Sequence, residues 1–423
     1  MEIVRIMKRR EFVIKNNLII TINNLIITMK NVFFIFCMMY LFCFIYGCSQ
    51  ITTPATFLND PAVLVANRQK INAGDQVLTE SLAGLKAEAD KALTEGPYSV
   101  TYKTKIPPSG DKHDYMSMGP YWWPDTTKPG GLPYIQRDGV TNPERLEITD
   151  AAYFSALRRN VRILALARYF TGEEKYANRA AELLRVWFLD ETTRMNPHLN
   201  YGQGIPGISE GRAMGLIDMR QTVYLIDGIQ ILKACNGLTA AEYDGLQRWF
   251  GQFLDWMTTS PIGLDEADQH NNHGTFYDVT AVSIALFTGQ KENARRMLEE
   301  KTKARIESQF AEDGSQPHEL GRTKSWTYSQ MNLSGFFNLA GLAKNVDMDL
   351  WNYVSPGGKS IKKAFLWMLP FANGLPWEYP QIVPVNKSVF TQLVQIAAEK
   401  YPDVVMPDYL LSQKMDELFV LTY

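Results

Sequence analysis

Residues 268–278 read Asp-Gln-His-Asn-Asn-His-Gly-Thr-Phe-Tyr-Asp. They hold two of the chain's five histidines, His270 and His273, beside paired amides and Tyr277. Two further polar clusters stand out. One contains Asn196, His198, Asn200, Tyr201, Gln203, Glu210 and Arg212 among Gly and Pro. The other runs from Asp313 through His318, Glu319 and Arg322 to Trp326 and Tyr328. Histidine, tyrosine, arginine and asparagine together suit chemistry on a sugar carboxylate. In a 4-linked uronic acid, the C5 proton is α to the carboxylate. It becomes removable once that charge is neutralised or hydrogen-bonded. A base takes the proton, and an acid protonates the departing 4-oxygen. In mannuronate and glucuronate units H5 and O4 share a face, so one group can be base and then acid. Tyrosine suits this if a neighbouring Arg or His stabilises its phenolate and lowers the pKa from about 10.

Other chemistries find less support. There is no His-x-x-x-His pair, no Cys/His zinc spacing and no Gly-rich phosphate loop. The spacings of His198, His270, His273 and His318 match no standard metal pattern, so neither metal nor cofactor is expected. A Gly-x-Ser-x-Gly elbow is absent, which argues against an α/β-hydrolase. The formal net charge of −2 offers no bulk basic field for nucleic acid. Aromatics make up 12% of the 423 residues, compatible with sugar stacking and equally with a large packed core.

The elements that must position these residues are helical. Apolar spacing predicts helices over 76–94, 150–170, 175–189, 218–234, 240–258, 271–287, 291–310, 325–345 and 358–372. Asp150 is the expected cap of the second. No segment shows sustained period-two alternation. Phe170-Thr171-Gly172 and Phe287-Thr288-Gly289 each close an Ala/Leu-rich run, an internal echo that suggests repeated helical hairpins. The expected fold is all-α, an (α/α) toroid (an incomplete barrel of hairpins) spanning 76–423 as one domain. Residues 95–148 lack a long periodic run and carry Tyr121, Trp122 and Trp123 between prolines. A loop of that length is usually functional, here a lid or wall over a cleft; an aromatic plug on the core is the other reading.

The N-terminus reads as targeting sequence. Residues 1–28 look like an upstream extension, with Met29 as the true start. Residues 32–46 form an apolar run ending Ile45-Tyr46-Gly47-Cys48, which resembles a bacterial lipobox with Cys48 acylated. Residues 1–48 would be the signal region and 49–75 a tether. The mature chain would be a monomeric lipoprotein in the periplasm or on the outer membrane, touching membrane only through its lipid. Three of the four cysteines, Cys37, Cys43 and Cys48, lie in that region, leaving Cys235 in the body and no disulfide framework.

Several motifs carry a family resemblance. Asn271-Asn272-His273-Gly274, Gly314-Ser315-Gln316-Pro317-x-Glu319-x-x-Arg322 and Trp326-x-Tyr328-Ser329 resemble the alginate lyase superfamily of polysaccharide lyases. The segments Asn196–Tyr201 with Pro206-Gly207, and Tyr121–Asp125, are similar to it too. The likeness covers roughly residues 100–345 and is greatest to the Bacteroides-type polysaccharide lyase family 38. It implies an α/α toroid acting on mannuronate-rich alginate or glucuronan, with an anionic polysaccharide as partner. Asn272 and Arg322 would bind and neutralise the substrate carboxylate. His273 would assist or accept a proton, and Tyr328 would be base and acid. Glu319, three residues before Arg322, would pair with it on a helix. His198, Tyr201, Gln203, Arg212 and Tyr121 are substrate-binding candidates, and Trp122 and Trp123 would stack sugars. Two other functions stay open: a glycoside hydrolase using two of Asp268, Asp278, Asp313 and Glu319, and a lipoprotein that only binds glycan. A lyase product absorbs in the ultraviolet through its new C4–C5 double bond; a hydrolase product does not.

Overall fold

The computed structural model describes residues 52–423 and, before them, residues 3, 5–16, 18, 21–22, 25 and 28–30. The chain divides into two compact units, residues 1–52 and 53–423. In the first, residues 5–16 are helical. The lipobox with Cys48 lies outside the described residues. Among those described, no helix is long and apolar enough to cross a membrane.

The second unit is already folded where the sequence suggested a tether. Helix α1 (Pro61–Asn72) is capped by Asp60 with Pro61 at its first position, a strong start signal that the polar composition around it obscures. Residues 57–59 are fastened by the buried Asp227, whose carboxylate accepts the backbone N–H of Phe57 (2.7 Å), Leu58 (3.2 Å) and Asn59 (2.7 Å). Helix α2 (Gln76–Ala92) follows, and the C-terminal helix α16 (Glu417–Thr422) packs on both α1 and α2.

Among the described residues there are four short strands, and the long loop contains three of them: β1 (Met116–Met118), β2 (Trp122–Trp123) and β3 (Ile135–Gln136). Strand β2 pairs antiparallel with β3, Trp122 opposite Gln136. Strand β1 pairs parallel with β4 (Tyr201–Gly204). No strand is expected from the sequence, because two to four residues are too few to show a period. The loop hangs on a buried ion pair. Lys103 Nζ sits 3.0 Å from Asp150 and donates to the carbonyls of Val100, Lys112 and Asp114 at 2.7–2.8 Å. Asp150 also accepts the Met116 N–H. Asp150 therefore does not cap α3 (Asp150–Thr171); Thr149 occupies that position and Asp150 is spent on the loop.

The body consists of α4 (Glu174–Leu184, continued by a π-turn over Arg185–Leu189), α5 (Thr222–Ala234), α6 (Ala240–Thr259), α7 (Pro261–Ala267) and α8 (Asn272–Phe287). Helices α9 (Lys291–Met297), α10 (Lys303–Gln309), α11 (Pro317–Leu320), α12 (Ser325–Ala343), α13 (Ile361–Ala372), α14 (Ser388–Lys400) and α15 (Asp408–Leu411) complete it. The predicted helix 291–310 is in fact α9 and α10 joined by a π-turn over Leu298–Thr302. Helices α3, α5, α8 and α12 pack side by side as an inner row, while α2, α4, α6 and α9 cover them from outside. Every residue of α8 from Gly274 to Phe287 is buried, as befits an inner helix apolar on all sides. The Phe-Thr-Gly echo marks the same turn in two hairpins. Gly172 after α3 and Gly289 after α8 both adopt φ near +75°, the left-handed region that glycine enters at no steric cost. This alternation of inner and outer helices is an α/α toroid.

Candidate active site

The first turn of α8 is the centre of the site. Asn271 caps it, its Oδ1 accepting the His273 N–H at 3.1 Å. Asn272 is buried and gripped by Glu319 of α11: its backbone N–H donates at 2.6 Å, and its Nδ2 donates to both carboxylate oxygens at 3.0 and 2.9 Å. An ionised carboxylate only accepts, so the amide is turned with its Oδ1 left unpartnered. His273 Nδ1 lies 2.7 Å from Oε1 of Glu266, a fully buried residue of α7. With Glu266 ionised, the proton sits on Nδ1 and Nε2 is the free ring nitrogen. Gly274 is required by close packing. A Cβ there would run into the Gln269 carbonyl and the Arg305 guanidinium. Arg305 pairs with Asp278 at 2.9 Å and donates to the carbonyls of Ala267 and Gln269, tying the α7–α8 turn to α8 and so Glu266 to His273.

Arg322 follows α11, which ends at Leu320, so the predicted helical pairing with Glu319 does not form. Arg322 instead makes a two-pronged contact with Asp138 of the long loop, at 2.7 and 3.2 Å. Its guanidinium carbon stands 4.0 Å from the centroid of the Tyr328 ring. Tyr328, in the first turn of α12, has its hydroxyl 2.6 Å from that of Tyr121. Burial, then Tyr121, pushes the Tyr328 phenol well above its ordinary value, while Arg322 pulls it down. The sign of the Tyr121 effect depends on which hydroxyl donates. When Tyr121 donates, the same contact stabilises the phenolate.

These groups share one cavity of about 490 Å³. Asn272, His273, Arg322 and Tyr328 all line it, as do Tyr121, Gln203 and Arg212 from the substrate-binding set. Gln203 adopts φ +48°, rare for a non-glycine, and is held by Ser117 at its N–H and by Arg212 at its carbonyl and Oε1. The other predicted residues lie outside the lining. Glu319 is 1% exposed behind Asn272. His198 Nε2 is 3.0 Å from Asp114, and Tyr201 belongs to β4. Trp122 carries the Arg212 guanidinium on its ring, and Trp123 that of Arg137. Of the four carboxylates proposed for hydrolysis none lines the cavity, and Asp278 is committed to Arg305. Among the described residues, no group of three His, Cys, Asp or Glu is placed to hold a metal ion.

Sequence reasoning missed Glu266 and Asp138, the partners of His273 and Arg322. No spacing signals either. Glu266 sits on a different helix from His273, and Asp138 is 184 residues from Arg322.

Residues 99–377 match the family described as alginate lyase. An alginate lyase from Bacteroides ovatus superposes with a TM-score of 0.83 at 36% identity, over 87% of this chain and 99% of that one. Alginate lyase A1-III from Sphingomonas species A1 matches at 16% identity and a TM-score of 0.56, over 87% and 97%. A variant of A1-III in complex with a tetrasaccharide matches at 17% and 0.58, also over 87% and 97%. At that identity the A1-III matches speak for the fold alone. No curated protein matches the chain. Family and fold together place it: the chain belongs to the alginate lyase family and is a polysaccharide lyase.

Proposed function

We propose that this lyase cleaves 4-linked uronate polymers, mannuronate-rich alginate or glucuronan, by β-elimination, leaving 4,5-unsaturated uronate ends. The observation that supports this is the convergence of Tyr328, His273, Asn272 and Arg322 on one cavity. The uronate carboxylate lies against the guanidinium of Arg322 and against His273 acting as an imidazolium, its Nδ1–H held by Glu266 and its Nε2–H toward the substrate, and the two offset the charge that grows as H5 leaves. Asn272, held by Glu319 through its backbone N–H and Nδ2, fixes the first turn of α8 and with it the position of His273. Tyr328 takes H5 and returns a proton to the departing O4. Tyr121, donating to Tyr328, steadies the phenolate between the two transfers. The similar Bacteroides ovatus protein is an alginate lyase, which supports the substrate class. The lipobox pattern at Gly47-Cys48 supports anchoring in the periplasm or at the outer membrane, which incorporation of labelled palmitate at Cys48 would test.

Polymannuronate, polyguluronate and glucuronan, each followed by ultraviolet absorbance, provide the test of substrate. A rise on polymannuronate or glucuronan is expected. Absorbance that stays flat on all three sinks the reading.

A further inference from the structure

The catalytic cavity adjoins a second one of about 280 Å³, and Arg145, Asp218 and Arg220 line both. Arg158 of α3 joins them in the second, beside apolar Ile148, Ala151 and Ala152. Three guanidiniums thus face one carboxylate, and that carboxylate is committed elsewhere. Asp218 accepts from Tyr115 (2.9 Å), Ser117 (2.7 Å) and Gln203 (3.4 Å). None of the three arginines makes an ion pair among the described residues. Arg158 is 6% exposed, and donates to the Phe154 carbonyl and to Gln221 Oε1. Arg220 donates to the Ile217 carbonyl. Arg145 keeps a buried Nε with no partner. Burial, then Arg220 beside it, draws the Arg158 guanidinium down to about 10. Asp218 offsets part of the charge on Arg158, and three like charges gathered in one recess remain costly unless a further anion joins them.

We propose that this arginine-lined cavity is a subsite for the carboxylate of the uronate unit next along the polymer from the one being cleaved. The inference rests on the substrate reading above. Every unit of a polyuronate carries a carboxylate, so a chain seated in the first cavity presents a second anion within reach of the shared wall. Guanidinium forks match carboxylates in two-pronged fashion, and low-dielectric walls strengthen the pairing. The role is to bind and set register; the reacting atoms are not touched.

The test uses full-length protein carrying Tyr328→Phe, so that ligand is bound without turnover. Affinity is measured by titration calorimetry for oligouronates of increasing length, taken from the polymer that the wild type cleaves. Affinity is expected to step up at the length that reaches the second cavity. Arg158→Gln should lose about tenfold on oligomers beyond the step, about 1.4 kcal/mol, and several-fold less on the shortest. Arg145→Gln, on a half-buried turn, should show the same selective loss and serves if Arg158→Gln folds poorly. A free-anion site would give no length dependence, and that result overturns the proposal. Equal affinities for variants and parent at every length, or equal losses at every length, overturn the subsite alone. A parent that binds no oligouronate overturns the substrate reading and the subsite with it.

Discussion

Tyr328 is held by opposing influences, and the balance has measurable consequences. Burial pushes its pKa up, and Arg322, 4.0 Å from its ring, pulls it down. As a base in the free enzyme it must be ionised, and below its pKa the ionised fraction grows about tenfold per pH unit. The kcat/KM profile should therefore rise through the alkaline range and not level off below about 10, where an ordinary tyrosine would. A plateau near neutral pH would rule Tyr328 out as the base. Tyr328→Phe should lower kcat by about 10²–10⁴-fold, remove the alkaline limb, and leave oligouronate affinity within a few-fold. Glu266 acts one step back. Glu266→Gln keeps the shape but removes the charge behind His273, so kcat should fall about tenfold with KM little changed. A proportional rise in KM with unchanged kcat would assign Glu266 to binding instead. The convergence of the four central residues was legible because they fall in recognisable motifs, His273 among only five histidines. Glu266, Asp138 and the true partner of Glu319 were not, because an ordinary carboxylate acquires its role only from the fold that surrounds it.

At the scale of elements, the cleft wall is only as firm as its fastening to α3. Lys103 has all its donors met inside the protein, by Asp150 and three carbonyls, and both members of the pair are fully buried. Lys103→Met strands the Asp150 charge and leaves those carbonyls bare, a change that costs about 3–5 kcal/mol. Thermal unfolding should shift down by several degrees. The KM for polymer should also rise, because the loop between Lys103 and α3 carries Tyr121 and Asp138 to the catalytic groups. Unaltered Tm and KM together would show that the loop is held by other means. Long helices were readable from periodicity: 240–258 was expected and Ala240–Thr259 is found. Their interruptions were not. The π-turn at Leu298–Thr302 continues the apolar spacing of its neighbours, and Asp150 looks like a cap until Lys103 is seen beside it.

The whole molecule sets a nearly neutral body against a basic cleft. Net charge is −2 over the chain, yet Arg145, Arg212, Arg220 and Arg322 line the catalytic cavity. The toroid itself was legible in the repeated Phe-Thr-Gly turn. The charge focus was not, because those arginines come from three separate stretches, at 145, 212–220 and 322, and converge only when the hairpins close. Low-dielectric walls concentrate such a field, and a polyanion feels it before contact. Salt screens exposed charges over about 8–10 Å at physiological strength and leaves buried pairs largely untouched. Raising ionic strength should therefore lower kcat/KM on polymer severalfold, mostly through KM, while kcat changes little. Short oligouronates, with fewer charges to be steered, should show a shallower dependence. Rates measured on both substrates from low to high salt separate the effects. A parallel fall in kcat on both would mean that salt disturbs the catalytic groups themselves, and the cleft field would then have no part in substrate capture.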